Sequence, residues 1–161
     1  MLSRTQPRPK TTPEASLADL QHPIIDAYLA ALPEGREPRV MASRTLFVAD
    51  DRKESLRLAD IGLRRVVDHF VDVGFLAPGR SLPELIAAFD VHVGTPEDVI
   101  ESLRVDSTLD RVTDLVFQVH SVDPPHAHIL RSIELIAECV APALGWEGPK
   151  ARKGNRVALA T

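Results

Sequence analysis

The chain has 161 residues, enough for one domain with a single core but short for a complete (β/α)8 barrel, which takes ~250 residues. Its formal net charge is -4 with 44% hydrophobic and 26% charged residues, which argues for neither a general nucleic-acid nor a membrane binder. A single cysteine, Cys139, excludes an intramolecular disulfide, and no apolar run reaches the ~20 residues needed to span a bilayer; the expected location is the cytoplasm.

Residues 1–15 read as a disordered arm, because 1–13 hold three prolines and no apolar cluster. From Ser16 the pattern becomes helical, with Leu17, Leu20, Ile24, Tyr28 and Leu32 in register and Pro23 expected to kink the helix or start a new one. A breaker-rich turn at 33–38 precedes the first strand, 39–50, in which both side-chain sets are largely apolar, as in a parallel strand covered on both faces. One set is Val40, Ala42, Arg44, Leu46 and Val48; the other is Met41, Ser43, Thr45, Phe47 and Ala49.

A long helix follows at 52–75, with Leu56, Leu63, Val66, Val67, Phe70 and Val71 as its apolar stripe, then a short helix at 82–89 and a short strand at 90–93. GTPEDVIESL at 94–103 is a helix start with Thr95 as N-cap, Pro96 at N1 and Asp98 at N3. TDLVFQVHS at 113–121 is the third strand. Leu115, Phe117 and Val119 face one way; Val116, Gln118 and His120 face the other. The last helix, 126–144, carries Ile129, Ile133, Ile136 and Val140 along one side, and 147–161 is a basic flexible tail. Strands alternating with helices predict an α/β protein with a parallel sheet.

Three stretches carry a family resemblance: RTLFVADD at 44–51, HVGTPEDVIESL at 92–103 and TDLVFQVHSVDPPHAHILRSIELIAECVAPAL at 113–144. In order and spacing they resemble the C-terminal part of the bacterial luciferase-like, flavin-dependent monooxygenases. The resemblance implies a partial (β/α)8 TIM barrel over 16–146, formed by strands six, seven and eight with an insertion before strand seven. RVDSTLDRVTD at 104–114 lacks the glycine that the family carries before its last strand. Strands one to five, which supply most flavin contacts in such enzymes, have no counterpart here.

A barrel places its site at the C-terminal ends of the strands. Gln118 and His120 share a face there and are the foremost pocket candidates, His120 with a near-neutral pKa suited to acid–base work. Ser43 and Thr45 are expected to point into the barrel. Arg44 is a candidate for a phosphate or an acidic substrate, with pairing to a carboxylate at the barrel base as the structural alternative. Thr95 opens a helix N-terminus, a weak candidate for holding a cofactor anion. His126 and His128 form an H-x-H pair too sparse for a metal site. No G-x-G-x-x-G or Walker loop is present, so no self-contained nucleotide site is expected.

The resemblance implies reduced FMN, or a deazaflavin coenzyme, used with dioxygen on an organic substrate, and a chain that by itself is inactive. Three readings follow: part of a flavin enzyme; a non-catalytic half-barrel subunit that self-associates or pairs with an N-terminal half through its open sheet edges; or an unrelated small α/β binding protein, which would need a different sheet order.

Overall fold

The computed structural model describes residues 1–9, 11–74, 76–119 and 122–146. The basic segment 147–161 and His120 lie outside the described residues. Ser16 opens helix α1 (Leu17–Ala31) through a capping box with Asp19. Pro23 does not divide it: the helix is continuous, and of the expected stripe it buries Leu17, with Gln21 and Ile25 beside it. Ile24 and Tyr28 are exposed instead. The buried face carries Leu17 and Ile25 with Gln21 between them, and Gln21 bonds a buried arginine described below.

Strand β1 (Met41–Val48) is buried along nearly its whole length. Asp51 then caps α2 (Arg52–Asp72), and Ser81 with Glu84 opens α3 (Leu82–Ala88). Strand β2 (Val91–Gly94) leads into α4 (Pro96–Arg104), and a 3-10 turn at Leu109–Arg111 precedes β3 (Asp114–Gln118). The last helix is not uniform. Regular α5 (His126–Leu135) passes through a π turn (Ile136–Val140) into the short α6 (Ala141–Ala143). Pro142 has no amide proton to give the carbonyl of Glu138, which accounts for the widened turn just before it.

The sheet is parallel throughout, with order β2-β1-β3. The order differs from a side-by-side succession of barrel strands six, seven and eight, which would place β2 in the middle; the α/β class with a small parallel sheet is as expected. The helices also divide between the two faces. Phe47 packs with Leu58 and Leu63 of α2 and Leu85 of α3. Leu46 and Val48 pack with Val99 and Leu103 of α4 and Leu135 of α5. Right-handed crossovers that step in opposite directions from a central strand run over opposite faces. A barrel keeps its helices in one outer ring. What the chain forms is therefore a three-layer α/β unit around a central β1.

Residues 1–9 carry contacts that a disordered arm would lack. The Leu2 amide donates to the Met41 carbonyl at 2.7 Å, and the Leu2 carbonyl accepts from the Ser43 amide at 3.0 Å. Leu2 is buried with Ile25, Val40 and Ala42. The reason lies in the register: β2 pairs with β1 only from Thr45 onward, leaving the first half of that edge of β1 open to the arm.

Candidate functional site

The C-terminal edge of the sheet is the place where an open parallel sheet binds ligands, at the crevice where the chain reverses direction. Here that crevice lies between β1 and β3, and it is largely filled. Ser132 of α5, itself buried, accepts from the Val48 amide at 2.9 Å. Arg131 grips Asp50 through two bonds, Nε–Oδ2 at 2.9 Å and Nη2–Oδ1 at 2.7 Å, and also reaches Glu134. The paired guanidinium holds the Asp50 carboxyl below its ordinary pKa. The remaining cleft, about 150 Å³, is bordered by Asp50, Asp51, Glu54, His128 and Arg131.

These residues do not fit a flavin phosphate. Three carboxylates face the cleft, its arginine is already paired, and 150 Å³ falls below the ~300 Å³ where small-molecule pockets begin. Two of the helix N-termini at this edge, those of α2 and α4, are occupied by their own chain. Asp51 accepts the Glu54 amide, and the Thr95 hydroxyl accepts the Asp98 amide while Asp98 accepts the Thr95 amide in return. Gly94 at φ 151° permits that closure, since a β-carbon there would stand 2.5 Å from the Asp98 side chain.

The other sequence candidates separate onto the two faces of the sheet. Arg44 is wholly buried and held by three partners: Asp106 at 2.5 Å, Gln21 at 2.9 Å and the Ser43 carbonyl at 2.8 Å. Burial pushes the Asp106 carboxyl upward, but the bond and charge of Arg44, with the Thr108 amide, outweigh it and leave the pKa lowered. On the opposite face, Gln118 and Thr45 are register partners, and Gln118 is half-buried. Ser43 is buried on that face with its hydroxyl unbonded. Thr45 accepts from Arg4 Nη1 at 3.0 Å and lines a cavity of about 440 Å³ between β1, α2, the end of α3 and the arm.

Sequence reasoning missed Arg4, Gln6 and Arg8 at that cavity, because proline spacing reads as disorder and no local pattern shows that β1 has an open edge to receive the arm. His92 shares a hydrogen bond with Ser102 at 2.7 Å. Burial, reinforced by the charge of Arg44 against the opposing pull of Asp106 and Asp90, lowers its pKa to about 4. Cys139 is exposed. Among the described residues no three His, Cys, Asp or Glu side chains form a group that would hold a metal ion, and no helix is long and apolar enough to cross a membrane.

The fold and site together define a small parallel α/β unit. No family model and no curated protein matches the chain. Among solved structures it is similar to a type II Baeyer-Villiger monooxygenase, the oxygenating constituent of 3,6-diketocamphane monooxygenase from the CAM plasmid of Pseudomonas putida, in complex with FMN. Identity is 25%, the TM-score is 0.49, and the match covers 78% of this chain and 40% of that one. A likeness at this TM-score defines no shared fold.

Proposed function

We propose that the chain is the C-terminal part of a luciferase-like, flavin-dependent monooxygenase and lends one wall to a flavin site that it does not complete. The supporting observation is a coincidence of sequence and structure. Each of the three resembling blocks falls on one parallel strand: the first covers most of β1 and ends at Asp51, the cap of α2, the second covers β2 with the Thr95-capped α4, and the third covers β3 with α5. In the complete enzyme, reduced FMN or a deazaflavin would carry the oxygen chemistry. This chain's part would be to shape the substrate pocket through the Thr45 and Gln118 face. The acidic, filled cleft at the sheet edge is the reason to assign the flavin phosphate to other residues.

A second reading is favoured by the strand order. A sheet ordered β2-β1-β3 with helices on both faces suits a self-contained, non-catalytic binding unit. FMN titration followed by quenching of flavin fluorescence separates the two. The first reading expects no saturable quenching by this chain alone and saturable quenching once an N-terminal half with strands one to five is co-expressed and co-purifies. Failure of the halves to associate, with a monomeric chain by sedimentation, would leave the second.

A further inference from the structure

We propose that the cavity beneath the arm binds a small organic monocarboxylate with an aromatic-sized apolar body, its carboxylate paired with Arg4. The inference does not depend on flavin binding, although Thr45 belongs to the face assigned above to the substrate pocket. It rests on what surrounds the roughly 440 Å³ space, a volume within the ~300–1,000 Å³ range of small-molecule pockets.

The walls are apolar: Leu63, Val66 and Phe70 of α2, Phe89 after α3, and Val91 of β2. Phe70 and Phe89 meet edge-on with ring centroids 5.1 Å apart, a hydrophobic end for a ring or branched chain. The charge sits at the opposite end. Arg8 is neutralised by Asp90 at 2.6 Å and further held by the carbonyls of Gln6 and Ala15. Arg4 differs. Among the described residues its one hydrogen bond goes to the neutral Thr45 hydroxyl and no carboxylate pairs with it.

A guanidinium carries five donors, so several of Arg4's remain for a ligand at the cavity wall. Burial already disfavours its charge and lowers its pKa. A partly desolvated cation without a counter-charge gains most from an anion that brings its own two acceptor oxygens. Thr45 is almost wholly buried, and its part is to hold the Arg4 guanidinium at the cavity wall. Gln6 also lines the space.

The probe is 4-hydroxybenzoate, titrated by calorimetry into the full chain, with its methyl ester as the neutral control. The expected result is saturable binding of the acid and binding weaker by about tenfold or more for the ester, the loss of one charge-assisted hydrogen bond. Arg4→Gln should weaken the acid to the level of the ester without changing the ester's affinity. Val66→Trp, at the half-open rim, should block both. Absence of saturable binding by the unaltered chain overturns the proposal, as does equal binding of acid and ester. The ligand pair tests the idea even if a variant fails to fold.

Discussion

Replacing Gly62 with alanine sets two physical effects against each other. Gly62 is buried in the middle of α2, and in an ordinary helix interior the change to alanine stabilises by about 1 kcal/mol. Here a β-carbon would stand 1.5 Å from the carbonyl oxygen of Val122, in the loop after β3. A carbon needs roughly 3.3 Å from such an oxygen, so helix and loop must separate by about 2 Å. That separation unpacks Val122 from Leu58, Leu63 and Phe47, its companions in the core on that face. Overpacking of this kind costs about 1–3 kcal/mol, and the lost contacts add to it, so the net effect is destabilising despite the better propensity. Urea unfolding followed by circular dichroism at 222 nm measures it against Asp68→Ala, an exposed position on the same helix. A higher urea midpoint for Gly62→Ala would refute the close approach of α2 to that loop.

Arg44→Met should cost about 3–5 kcal/mol by the same assay, because it strands Asp106 beside a buried gap where an ion pair stood. The folded chain holds Asp106 below its unfolded pKa. The pair's contribution is therefore present above about pH 3.9 and is lost as pH falls through the lower folded value; the variant should lack that acid-side decline. His92 runs on the same sign over a different window. Its folded pKa of about 4 lies under the unfolded 6.5, so between those values the unfolded chain takes up a proton that the folded chain refuses, and stability rises with pH. Titration of its ring protons by NMR should show a neutral imidazole at pH 5.5, and a midpoint near 6.5 would contradict the burial. Ser132→Ala should cost about 1–3 kcal/mol by orphaning the Val48 amide; an unchanged urea midpoint would mean that the bond contributes nothing.

Local chemistry is legible in the sequence of this chain. Thr95-Pro96 with Asp98 marked the start of α4, the breakers at 33–38 marked the entry to β1, and alternation in 113–119 assigned the two faces of β3 correctly. Such signals act within a few residues, so the sequence carries them whole. It also showed that β1 is covered on both faces. Strand order is not of that kind. Whether β3 pairs with β2 or crosses to the far side of β1 depends on which faces α2 and α4 cover, and those contacts join residues dozens of positions apart.

The same distance hid the rest. Gln21 and Arg44 are each unremarkable until α1 brings them within 2.9 Å, with Gln21 buried between Leu17 and Ile25 and Tyr28 exposed. Arg4 and Thr45 lie 41 positions apart and meet because the arm fills the edge of β1 that β2 leaves open. The sequence by itself determined the main strands and helices, the Thr95 cap and the α/β class, since propensity and capping are local free energies. The tertiary structure alone decided the strand order, the pairing of Arg44 and the cavity under the arm, since each depends on polar groups and strand edges that find partners only when distant segments close on one another.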